Sequence, residues 1–268
     1  MLKNIFSARK AKNQDNEPVE KTTEQKKLDN VIGFAKNAFH LSVTRFNDTN
    51  HNKIYDFIRM LADKINYEYV QKTITGEPNY HGLDFKDLFI PVNHELNLAY
   101  DLSNQIFNDI HFYHTAENFE IELGKDPVLS FPWVYDRLID AVKNFATDEN
   151  PWIEKTNNHE VTVMLPVGIT WIQNGIHSAF SGCMSRQGKI GVTSQAIQSG
   201  RHTIINLAPL YEYIKFDGEN YIFTGYGEEE QLHEVIGKAP NFELGCIFEI
   251  GRLLHEKGVT FKKIQVIK

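Results

Sequence analysis

Asn174-Gly175-Ile176-His177-Ser178 is the stretch whose residue types and spacing best suit chemistry. It follows an apolar run, Val161–Ile172, and precedes a helical pattern of Ile176, Phe180, Cys183 and Met184. A strand that turns through glycine into a helix leaves the first backbone N–H groups of that helix without intrahelical partners. Those donors and the helix dipole together favour an anion. Gly175 allows close backbone approach, and Asn174 and Ser178 offer hydrogen bonds. His177 is the candidate catalytic residue, able to donate or accept a proton near neutral pH. The same residues also have a plainer reading. Asn-Gly is a common tight-turn dipeptide, Ser178 is a good helix cap, and an isolated histidine after a turn more often holds structure than catalyses.

Other constellations are weaker. His111 and His114 lie three apart after Asp109, but such pairs arise readily among 11 histidines, and no metal site is expected. Asn158-His159-Glu160 precedes the main strand and could enter a site, although a loop is the more ordinary role. Glu249, Arg252 and His255 read as the solvated face of a helix, and Trp171 as core. GxGxxG, Walker A, HExxH and GxSxG patterns do not occur.

These residues must be positioned by a chain of 268 residues, long enough for one large or two small domains. Its formal charge is −7, from 28 Lys+Arg and 35 Asp+Glu. Residues 1–27 hold seven basic and four acidic groups, so this stretch is +3 and the remainder −10. The stretch is polar, lacks aromatics after Phe6, and reads as a disordered basic tail rather than a secretory signal. An acidic body disfavours a protein whose whole surface grips nucleic acid. No apolar run approaches the roughly 20 residues of a membrane span, so no membrane partner is expected. Cys183 and Cys246 sit in apolar helical patterns and read as reduced core residues of a cytoplasmic protein.

Residues 28–123 predict a helical region, with three stripes at helical spacing. These are Leu28, Ile32, Ala35, Phe39 and Val43; then Ile54, Phe57, Ile58, Leu61, Ile65 and Tyr69; then Ala99, Leu102, Ile106 and Ile110. Gly76 and Pro78 stop the second, and 76–91 reads as an irregular connection. From 124 to 268 the texture is α+β with a mixed sheet. Strands are expected at Val128–Phe131, Val161–Ile172 (broken at Pro166), Ile190–Thr193 and His202–Leu207. A hairpin is expected with Tyr211–Phe216 and Tyr221–Thr224 around Asp217-Gly218. A helix over 243–256 and a final strand, Phe261–Ile267, complete the pattern.

The order of elements over 126–193 resembles the core of the ParB/sulfiredoxin superfamily. In that core, strand, helix and strand lead to a Gly-x-His-Arg or Gly-x-x-Arg turn that opens a helix, followed by a return strand. Here the turn is Gly175-Ile176-His177-Ser178 and the return strand is Lys189–Thr193. The phrases PWVYDRL, LPVGITWIQNGIHS and FEIGRLL also resemble an uncharacterised family of bacterial domains of unknown function, over about residues 30–255. The superfamily resemblance implies a site for a nucleotide, with Mg²⁺, or for another phosphate ligand. It further implies phosphoryl transfer or phosphodiester (nuclease) cleavage, with Asp136 and Arg137 near the ligand edge. The superfamily's phosphate-holding Arg falls at Ser178, and its reactive Cys at Ile176, which excludes sulfiredoxin chemistry. Arg186, Lys189 and Arg201 are the candidates to replace that Arg. The alternative is a catalytically inactive protein-binding module of a bacterial or phage conflict (defence) system, with an acidic surface suited to a basic protein partner. A third possibility is DNA contact through the basic tail.

Overall fold

A computed structural model describes residues 21–45, 53–77, 118–155, 157–226 and 231–263. Most of the expected tail, the third helical stripe, residues 78–91 and the His111/His114 pair lie outside the described residues.

Helix α1 (Thr23–Arg45) begins inside the stretch read as tail. A reciprocal cap sets its start. The Gln25 N–H donates to Thr22 Oγ1 (3.2 Å), and the Thr22 N–H donates to Gln25 Oε1 (3.0 Å). Thr23–Lys27 are therefore helical. Leu28 and Ile32 pack on the core and Ala35 is buried, as the first stripe predicts; the side chains of Phe39 and Val43 lie outside the described set. Helix α2 (Lys53–Thr75) buries Ile54, Ile58, Leu61, Ile65 and Tyr69 along its predicted stripe and ends before Gly76.

The remainder is α+β, as expected. Strand β1 (Phe119–Glu122) and β2 (Val128–Leu129) precede helix α3 (Tyr135–Asn144). Strands β3 (Glu160–Leu165) and β4 (Ile169–Asn174) lead into α4 (Ile176–Ser185). Then come β5 (Lys189–Val192), α5 (Ser194–Gln198), β6 (His202–Asn206) and α6 (Leu210–Tyr213). Strands β7 (Ile214–Phe216), β8 (Asn220–Tyr226) and β9 (Gln231–Lys238) and helix α7 (Phe242–Glu256) close the order. The main sheet runs β2-β4-β3-β6, with β2 parallel to β4, β3 antiparallel to β4, and β3 parallel to β6. β1 and β5 form an antiparallel pair, and β7-β8-β9 an antiparallel meander.

Val161–Ile172 is not one broken strand but the hairpin β3–β4, reversed through Pro166-Val167-Gly168. Gly168 has φ +69°, and its N–H donates to the Met164 carbonyl (2.8 Å). A Cβ at Gly168 would lie 2.4 Å from the Phe261 ring, so glycine also serves the packing there. The hairpin and the placement of β5 outside the main sheet depart from the order on which the ParB/sulfiredoxin resemblance rests. Tyr211–Tyr213 are helical, and only Ile214–Phe216 pair as the strand of the Asp217-Gly218 hairpin. Phe261–Lys263 form a 3-10 turn. Met184 is exposed.

Glu249 and Arg252 are not on a solvated face. Arg252 Nε donates to Glu249 Oε2 (2.8 Å), and its guanidinium also donates to the carbonyls of Tyr211 and Ile214. Glu249 Oε1 accepts the Phe216 N–H (2.8 Å). The α6–β7 junction needs donors for its carbonyls, and the planar guanidinium supplies them.

One hydrophobic core runs through both halves. Ile54, Ile58 and Ile65 of α2, Val163 and Ile169 of the hairpin, and Leu244, Ile247 and Phe248 of α7 are all fully buried within it. α1 and α2 both pack on α7, and α2 also on β2. The change of texture near residue 124 is thus not a break in the core. The short β2 is held by a side chain of α2. The buried Asn66 Nδ2 donates to the Val128 carbonyl (2.7 Å), and its Oδ1 accepts the Ser130 N–H (2.8 Å). Thr73 Oγ1 donates to the Pro132 carbonyl (2.6 Å). Helix α2 so fixes the segment that delivers Trp133 and Val134 to the cleft described next.

Candidate functional site

A cleft of about 440 Å³ opens between α3, the segment 152–159 and the turn 173–178. That size falls within the range of small-molecule sites. The antiparallel register places Glu160 opposite Asn174, so His159 lies beside Gly175. Gly175 takes the left-handed conformation (φ 74°, ψ 19°) immediately before α4. A Cβ there would lie 2.2 Å from His159 Cδ2. Glycine is required both by the turn and by this contact.

The turn is held from several sides. Asn174 Oδ1 accepts the Gly175 N–H (2.9 Å). Ser178 Oγ donates to the Gly175 carbonyl (2.9 Å), Trp152 Nε1 donates to the Ser178 carbonyl (2.8 Å), and Ser130 Oγ donates to the Ile176 carbonyl (2.7 Å). Among the described residues, no acceptor meets the N–H groups of Ile176, His177 and Ser178.

The two histidines have defined roles. The Lys155 N–H donates to His159 Nδ1 (3.1 Å), so Nε2 carries the proton of the neutral ring and donates to Ser178 Oγ (3.0 Å). This tautomer cannot take the Ser178 proton, so the pair is a latch rather than a nucleophile with its base. The Val134 N–H donates to His177 Nε2 (3.3 Å), which leaves Nδ1–H as a donor. Burial lowers the pKa of both rings; for His177 the nearby Arg137 charge adds to the effect. His202 lies close to His159 with its Nδ1 buried and without a hydrogen-bond partner, and its pKa is also lowered by burial.

Five predicted residues converge on the cleft: Arg137, Asn174, Gly175, His177 and Ser178. Three do not. Asp136 is exposed in the first turn of α3 and does not line the cleft. Arg186 caps the far end of the ten-residue α4, about 15 Å from its start. Lys189 pairs with Glu120 (2.7 Å) across β5 and β1. Arg201, the other proposed replacement cation, donates to Ser199 Oγ (3.1 Å) and is not among the lining residues. Lys155 supplies the second cation instead. Trp133, Ile153, Asn158, His159 and Gln173 also line the cleft, and among the described residues Asp140 is its one carboxylate. Neither Arg137 nor Lys155 has an ion-pair partner among the described residues. The signal that could have found Lys155 and His159 is the register, since a hairpin at Pro166 brings residues 155–159 to the 174–178 turn.

Both cysteines are free, and burial pushes each thiol up to about 12, which suits packing rather than reactivity. Among the described residues, no group of three His, Cys, Asp or Glu side chains could hold a metal ion, and no helix is long and apolar enough to cross a membrane.

Fold and site together define an α+β protein with a cation-bearing cleft at a strand-to-helix turn. The chain belongs to a family of unknown function (DUF6710), whose model matches residues 13–261. No curated protein and no solved structure matches it. The ParB/sulfiredoxin resemblance finds no support in these comparisons.

Proposed function

We propose that the cleft binds a small phosphate-bearing ligand, a nucleotide or related phosphate ester. The observation that carries this is the convergence of Arg137, Lys155 and the acceptor-free N–H groups of Ile176, His177 and Ser178 on one cleft. In this reading Gly175 makes the turn that presents the helix N–H groups, Asn174 and Ser178 line the phosphate's path, and His177 donates through Nδ1–H. The reading is of binding rather than turnover. Ser178 is latched by His159, and His177 Nε2 is committed to Val134, so neither histidine is poised as a base for phosphoryl transfer or phosphodiester cleavage.

Titration calorimetry with ATP, AMP, ribose 5-phosphate and inorganic phosphate, with and without Mg²⁺, tests it. Wild type binds at least one of them, and Arg137→Gln weakens that binding about tenfold or more, as loss of a charge-assisted hydrogen bond should. His177→Ala weakens it about tenfold through loss of one donor. No binding by wild type under any condition would remove the proposal.

A second reading, a protein-binding surface, has one supporting observation. Tyr135 and Val142 lie seven apart on one face of α3 and are both exposed. A stoichiometric protein partner whose binding is lost in Tyr135→Ser/Val142→Ser, with no small-molecule binding by wild type, would favour it.

A further inference from the structure

Resting on the phosphate reading above, we infer that the cleft takes a single phosphate monoester joined to a flat heteroaromatic ring, as in a nucleoside monophosphate, rather than a di- or triphosphate. Charge matching is the first argument. The cleft offers Arg137 and Lys155 against Asp140, a net charge of +1, and the start of α4 adds roughly half a positive charge. A phosphate monoester carries about −1.5 to −2 near pH 7, which this balance suits. A triphosphate would leave most of its charge unmatched beside Asp140.

Shape and surface chemistry give the second argument. Trp133 and Ile153 line the same cleft yet are 39% and 71% exposed. Large apolar side chains beside cations in one cleft are suited to cover a ring face, and indole stacks on any base. Gln173 is placed to read a ring edge. Its Oε1 accepts from Thr162 Oγ1 (3.0 Å), so the amide NH₂ is the group it can offer a ligand as donor. The ring therefore lies against Trp133 and Ile153, with the phosphate at the Gly175 turn.

The test compares AMP, GMP, CMP and UMP with ribose 5-phosphate and ATP in magnesium-free buffer, on wild type and Trp133→Leu. Calorimetry gives affinities. Tryptophan fluorescence gives a second readout, assigned to the ring contact by its loss in Trp133→Leu, since Trp152 also lines the cleft. At least one monophosphate is expected to bind about tenfold or more tighter than both ribose 5-phosphate and ATP. Trp133→Leu is expected to erase the advantage over ribose 5-phosphate, with a thermal transition like that of wild type showing that the variant is folded. Equal binding of ribose 5-phosphate and the nucleotides, or an advantage that survives Trp133→Leu, overturns the ring site while phosphate binding stands. ATP binding tighter than every monophosphate overturns the single-phosphate assignment. Failure of every phosphate compound, ribose 5-phosphate included, overturns the underlying reading as well.

Discussion

Protonating His159 would set two donors, Nδ1–H and the Lys155 N–H, facing each other across 3.1 Å. The folded protein therefore resists that proton, as burial already does for His159, His177 and His202. All three have folded pKa values below the ordinary 6.5, so the unfolded chain takes up protons first as pH falls. Stability is then fully present above 6.5 and is lost on acidification, until each folded pKa is passed. The slope reaches at most about 1.4 kcal/mol per pH unit for each ring. Urea unfolding between pH 7 and 5.5 should show falling stability, and His159→Gln should flatten the slope by up to one ring's share. An unchanged slope would place the titration elsewhere. At the neighbouring Gly175, alanine meets both the left-handed backbone and the His159 ring 2.2 Å away. Gly175→Ala should cost about 2–4 kcal/mol, read from the urea midpoint. Ligand binding should fall with it, because the same turn presents the helix N–H groups.

Among the elements, β2 depends on a helix for its hydrogen bonds. Removing the Asn66 amide leaves the buried Val128 carbonyl and Ser130 N–H unpaired. Asn66→Ala should cost about 2–5 kcal/mol in urea unfolding. Asn66→Asp keeps an acceptor for Ser130 but sets a buried carboxylate against the Val128 carbonyl, so at neutral pH it should cost at least as much as Asn66→Ala. Such pairings explain what the sequence conceals. Helices α1, α2 and α7 were legible because their apolar residues recur at helical spacing, and the β7–β8 turn because Asp-Gly marks it. The β3–β4 reversal was not legible, because nearly every residue of both strands is buried and no alternation of faces survives to mark the turn. The turn at 174–178 was visible as a local motif. Its latch to His159 was not, because that contact exists only once the hairpin sets Glu160 against Asn174. Lys155 was hidden for the same reason. Arg186 and Lys189 looked suitable by nearness in sequence, but a ten-residue helix and a separate sheet carry them away.

At the scale of the whole molecule, the helical first part and the α+β remainder share one core. Ile54, Ile58, Ala62 and Ile65 are fully buried, and their partners include α7 and β2. A fragment beginning at residue 118 would expose that surface. It should lack a cooperative thermal transition and show collapsed amide dispersion by NMR, where the full chain shows neither defect; a cooperative fragment would show that the remainder holds its own core. The −7 charge is likewise a property of the whole, and it does not set the character of the cleft, where among the described residues two cations face one carboxylate. The Asn66 clasp has a consequence beyond stability. β2 sits at the edge of the main sheet within an apolar, strand-forming segment, Val128–Phe131, of the kind that recruits a second chain when its backbone is open. By occupying that backbone from inside, α2 keeps a sticky segment out of reach of other copies. Asn66→Ala should therefore self-associate in a concentration-dependent way on refolding, seen as rising light scattering, under conditions in which the wild-type chain stays clear.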